Sequence, residues 1–281
     1  MYMNIPITQF FLEHHFNAFL PPKPDQDDDS IRRERLCVRE ALIALDQQLW
    51  PFIDGQRPKW DLHRHHQTEH FVSSDHFIYL EDGRPIVNKI GSMWLHYGKS
   101  HDQLNALREL GKPASRYDWD EFYDAFYLHT RIQVYINSDV IRCWLIFTDK
   151  NYYDKAEFLK KIRHNQEGRE LFWKKIEAIL GKGYFYEIDD RQFPLDNNLN
   201  KDAFFKFVRT DRDGYYSGIV KEYLPLDPLI SRENIGAEMK RNLSDFYPIY
   251  DQMAYRLQVK HQPQDLGKLF QGQARMKKGK E

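Results

Sequence analysis

The sequence predicts an α+β fold: a mostly antiparallel sheet built from three hairpins and flanked by helices. Three observations predict it. Asp82-Gly83 lies between two β-prone runs, HFIYL and PIVNKIGSMWLHYG. Asp-Gly in that setting marks a hairpin. RIQVYI (131–136) alternates apolar and polar residues and turns through Asn137-Ser138-Asp139 into the apolar run VIRCWLIF (140–147). AFFKFVR (203–209) and YYSGIVKEYL (215–224) flank Asp211-Arg212-Asp213-Gly214, which reads as the turn of a third hairpin.

The elements follow in order. Phe10, Phe11, Phe16 and Phe19 give residues 7–20 one apolar side, so a first helix is expected there. The run 21–29, PPKPDQDDD, breaks it as a loop. Ser30 is the expected N-cap of a long second helix reaching about residue 53, because Val38, Leu42, Leu45 and Leu49 recur at helical spacing. Residues 54–75 carry no decisive periodicity. After the first hairpin, Ser100 and Gln103 form a capping box for a helix carrying Leu104, Leu107 and Leu110, and Gly111 closes it. Residues 118–129 read as an aromatic helix. Helices are expected at 151–163 and 167–180, the second stopped by Gly181 and Gly183, and YFYEI (184–188) as a strand. Ser231 is the expected cap of a last helix to about 258, with Pro248 kinking or interrupting it. Parallel β-α-β winding finds no support, nor does an internal repeat. Residues 1–259 read as one unit, with a division near 115 as the alternative, and 260–281 as a basic disordered tail.

Composition narrows the function classes. Charged residues make up 30% and aromatics 15%, a profile of a folded domain with a charged surface. The formal net charge is −1, so nucleic acid can be met only through a local basic patch, such as Lys260, Lys268, Arg275, Lys277, Lys278 and Lys280 in the tail. An acidic stretch, Asp25 and Asp27 to Asp29, balances it. Two cysteines, Cys37 and Cys143, sit in apolar segments and read as small buried thiols in a reducing compartment. The N-terminus carries no basic region followed by an apolar run, and no segment approaches 18 apolar residues. A cytoplasmic protein with no membrane partner is the expectation.

The densest chemistry lies in DLHRHHQTEHFVSSDHF, where His63, His65, His66, His70 and His76 crowd into one short stretch. His66-Gln67-Thr68-Glu69-His70 matches H-x-x-E-H. On a helix this pattern sets two imidazoles at i, i+4 to ligate a divalent metal, with the glutamate as general base. That reading makes His66 and His70 metal ligands, with Glu69 and His66 in catalytic roles. It needs a third ligand, and Glu109, His96, His101 and His129 are candidates. Against it, Thr68 is a poor helix former, and nothing else in the chain resembles that protease class.

A second reading joins Arg64, His65 and Lys99 as phosphate-binding groups. Gly98-Lys99-Ser100 precedes a capped helix as in a phosphate-binding loop, though Met93 stands where the first glycine of that motif belongs. A third is a polar segment whose histidines bond to backbone or water, with Gly98-Lys99-Ser100 a plain strand-to-helix turn. Trp94, Tyr97, Trp119, Tyr123, Phe126 and Tyr127 flank the cluster as base-stacking or core residues. No Walker loop, nucleophile elbow, dinucleotide fingerprint or H-N-H motif is present, and Glu238-Met239-Lys240 lies in a helical stretch.

Residues 131–188 also carry a resemblance. The R-hydrophobic-x-V-x-I strand, the helix RELFWKKIEAIL with Ile176 and Glu177, and the closing strand with Tyr186 and Glu187 resemble an uncharacterised bacterial domain found beside restriction–modification and nuclease genes. The likeness spans about a fifth of the chain and brings no catalytic motif. It implies prokaryotic defence or DNA-associated work. The expectation is therefore an accessory protein acting with nucleic acid or a nucleic-acid enzyme. The alternatives are a hydrolase with a divalent metal, or a metal-free enzyme using His66 as acid/base beside a phosphate held by Arg64.

Overall fold

The computed structural model describes residues 11, 13–20, 28–65, 73–75, 91–109, 129–148, 151–211 and 216–254. Outside them lie the first hairpin's turn and leading strand (76–90), the aromatic helix 118–129 except His129, and the tail 260–281.

Eight described strands form one antiparallel sheet: β1 (His63–Arg64), β2 (Ser73–Asp75), β3 (Ser92–Gly98), β4 (Arg131–Ile136), β5 (Ile141–Thr148), β6 (Phe185–Ile188), β7 (Arg191–Pro194) and β8 (Tyr216–Tyr223). The order is β1-β3-β4-β5-β8-β6-β7, and β2 also pairs with β3. Helices are α1 (Glu13–Asn17), α2 (Asp28–Asp54), α3 (His101–Glu109), α4 (Tyr152–His164), α5 (Gln166–Glu177), α6 (Lys201–Val208) and α7 (Ile235–Met253). The α+β class and the antiparallel sheet with flanking helices are thus as the sequence predicts.

Period-two alternation builds the core. On one face stand Leu95, Tyr97, Ile132, Val134, Cys143, Leu145, Phe147 and Ile219, all buried in the main hydrophobic cluster. The Val38-Leu42-Leu45-Leu49 stripe of α2 joins that cluster with no exposure at all, each side chain contributing about 1.5–3 kcal/mol by its burial. Residues from both sides of position 115 contribute to this sheet and core. The opposite face carries a second, smaller cluster of Trp144, Ile146 and Val220, against which Phe185 and Tyr216 pack. Among the described residues no helix is long and apolar enough to cross a membrane.

Several local expectations hold in detail. The Ser100 N–H donates to Gln103 Oε1 at 2.8 Å and the Gln103 N–H to Ser100 Oγ at 3.1 Å, closing the capping box. Asn137 Oδ1 accepts from the N–H groups of Asp139 and Val140 at 2.9 Å each, fixing the β4–β5 hairpin. β5 is central, between β4 and β8.

Others are corrected. AFFKFVR is not a strand but α6, because Asn200 caps it by accepting from the Ala203 N–H at 2.9 Å. That places Phe204, Phe205 and Val208 on one buried helical side. β8 consequently pairs with β5 and β6. The hairpin partner of β6 is β7, a short strand after the Asp189-Asp190 turn that the sequence pattern does not announce. α2 begins at Asp28, two residues before Ser30. Asn234 rather than Ser231 precedes α7, since Ser231 closes a 3-10 turn over Pro228–Ile230, and α7 runs on through Pro248. Cys37 is half-buried, whereas Cys143 is fully buried.

Candidate functional site

His66, Glu69 and His70 lie outside the described residues. Among the described residues, no group of three His, Cys, Asp or Glu side chains is placed to hold a metal ion.

The segment entering β1 is positioned by α7. Tyr247 Oη donates to the Lys59 carbonyl at 2.8 Å and accepts from the Asp61 N–H at 2.9 Å, while its ring stacks on Trp60 at 4.8 Å. β1 then pairs with β3, His63 opposite Gly98 and Arg64 opposite Tyr97. The His65 N–H continues the ladder to the His96 carbonyl.

Alternation separates the predicted phosphate ligands. Arg64 faces α2: its guanidinium pairs with Asp46 at 2.9 Å and lies over the Trp50 ring at 4.6 Å. Tyr97 on the same face donates to Asp46 at 2.7 Å. His65 faces the other way. Its Nε2 donates to the Lys99 carbonyl, and its ring stacks on His96 at 5.4 Å and lies 4.8 Å from His129. The structure therefore brings His65 and Lys99 together and takes Arg64 away.

Behind His65 the cluster is deeply buried. The Lys99 Nζ pairs with Asp154 Oδ1 at 3.1 Å. Asp154 Oδ2 accepts from the Thr130 N–H at 2.6 Å. Asn151, at the start of α4, gives no side-chain cap to that helix and donates its amide to Thr130 Oγ1 at 3.1 Å. His129 Nδ1 meets the Thr130 carbonyl at 2.8 Å. A carbonyl only accepts, so Nδ1 carries the proton and Nε2 holds a bare lone pair. That Nε2 is buried and has no hydrogen-bond partner among the described residues. A Cβ at Gly98 would fall 2.2 Å from His129 Cε1, so only glycine lets the ring lie against β3.

Burial, and then the charges of His65, Lys99 and Arg131, hold His129 well below the usual histidine range. The unfolded chain binds that proton near pH 6.5 and the folded one does not. The stability this contributes is full above about pH 6.5 and is lost as pH falls from there through the lowered folded value. Urea titrations between about pH 7 and pH 5 should show a component of up to about 1.4 kcal/mol per pH unit. In His129→Gln that component should vanish; an unchanged slope would refute the assignment.

Asp154, Thr130 and Asn151 belong to no motif, so nothing in the sequence singles them out. His96 and His129 stand out there only as candidate metal ligands. No protein-family model matches the chain, and no curated protein resembles it significantly.

Proposed function

We propose that this chain is an accessory protein that binds nucleic acid, alone or with a nucleic-acid enzyme, and that phosphate is held at the His65–Lys99 end of the sheet. One observation carries the reading: β1–β3–β4 pairing converges His65, His96, His129, Lys99 and the field of Arg131 on one spot. That spot offers an anion the N–H groups of imidazoles and the cationic groups of Arg131 and of Lys99, the latter paired with Asp154. The basic residues between Lys260 and Lys280 and the likeness of 131–188 to a domain beside restriction genes support the same reading.

Fluorescence anisotropy with labelled single-stranded DNA, duplex DNA and RNA tests it. Binding should weaken linearly on a log–log plot of affinity against salt, by about 40-fold from 50 to 200 mM for three neutralised phosphates on duplex DNA. Absence of binding to all three nucleic acids at about 50 mM salt would sink the proposal. About one zinc, manganese or iron per purified chain, lost in His70→Ala, would replace it with the hydrolase reading.

A further inference from the structure

Two features of the cluster limit what kind of phosphate it can take. The first is depth. His96, Lys99 and His129 are all at most 4% exposed, while His65 is half-buried. A phosphodiester inside a strand has covalent exits on both sides and needs an open groove; an end group needs one. The second is the lone pair of His129 Nε2, fully buried and without a partner among the described residues, with its tautomer set by the Thr130 carbonyl. A ligand oxygen placed against it must bring a proton. A phosphodiester has no O–H to give. A phosphomonoester has one when it is a monoanion.

We infer that the cluster receives a terminal phosphate, the phosphomonoester at the end of a nucleic acid or on a nucleotide, with the phosphate O–H donating to His129 Nε2. This rests on the phosphate reading above and names its ligand class. The remaining phosphate oxygens face His65 just past β1, Lys99 just past β3 and Arg131 on β4, whose charges reach His129; the His96 ring stacks beside His65, and Lys99 is itself paired with Asp154 of α4. No covalent bond is made or broken. Free phosphomonoester is mostly dianionic above its second pKa of about 6, so binding at pH 7.5 takes up one proton from solvent.

The test uses the full chain and a 3′-labelled single-stranded DNA bearing either a 5′-phosphate or a 5′-hydroxyl. The phosphorylated strand should bind at least about tenfold tighter at pH 6. That preference should shrink about tenfold per pH unit above it. Inorganic phosphate should compete and dimethyl phosphate should not. Calorimetry in two buffers of different ionisation enthalpy should report close to one proton taken up at about pH 7.5. His129→Gln should abolish the preference for the phosphorylated strand. If that variant does not fold, the phosphate-against-dimethyl-phosphate comparison on the native chain decides. Equal affinity for both strands, or competition by both small phosphates alike, would overturn the inference and leave the nucleic-acid reading standing. Binding of inorganic phosphate with proton uptake, but of neither strand, would overturn the nucleic-acid reading and leave the site standing.

Discussion

Replacing Asp154 by alanine should remove about 3–5 kcal/mol of stability, the largest loss expected from any single polar substitution in the site. Asp154 is fully buried and does two jobs at once. Oδ1 compensates the Lys99 ammonium, itself buried, and Oδ2 satisfies the Thr130 N–H. Alanine takes the carboxylate from a charge that stays in a low-dielectric surrounding, and it takes the acceptor from a buried backbone donor. Against a total stability of about 5–15 kcal/mol the chain would be close to unfolding at about 37 °C. Urea denaturation followed by tryptophan fluorescence measures this. Asp154→Asn keeps an acceptor for Thr130 but not the charge, so it should fall between wild type and alanine. A loss below about 1 kcal/mol in Asp154→Ala would show that the pair is not what holds β3, β4 and α4 together here.

The second large effect is expected at Gly218, in the middle of β8. Its φ is +158°, and a Cβ built there would stand 1.9 Å from the Leu145 carbonyl oxygen and 2.9 Å from its carbon. Both obstacles are backbone of β5, which pairs with β8 over its whole length. On the other side Gly218 pairs with Glu187 of β6, so β8 is hemmed on both edges. Relief means separating central strands. Gly218→Ala should therefore cost more than about 3 kcal/mol. Gly183 makes the contrast: its φ is +81°, but the nearest atom to a Cβ placed there is Lys221 Cε at 3.7 Å. Gly183→Ala should cost only the left-handed backbone strain, about 1–2 kcal/mol. Paired thermal melts of the two variants check this, and equal losses would refute the steric argument at Gly218.

What the sequence determined by itself was local. The α2 stripe, the alternation of 131–136, the Asn137 turn and the Ser100–Gln103 box each depend on residues at most a few positions apart, and each is found as read. Where two local readings competed, sequence pattern lost. AFFKFVR is a short, largely apolar run, and such runs do not separate strand from helix by period. The Asn200 cap and the packing of Phe204 against Phe172, Trp173 and Tyr186 decided for helix.

The candidate site was decided only by tertiary structure. His65 and Lys99 are 34 residues apart, and Thr130 and Asp154 are 24 apart. Nothing in their spacing announces a meeting. It follows from strand register, which sets His65 beside His96 and turns Arg64 to the opposite face. A shift of one residue in that register would exchange the two faces, placing Arg64 over the cluster and His65 against α2. The chemistry of the cluster is therefore a consequence of how the sheet pairs, which the linear order of residues does not contain.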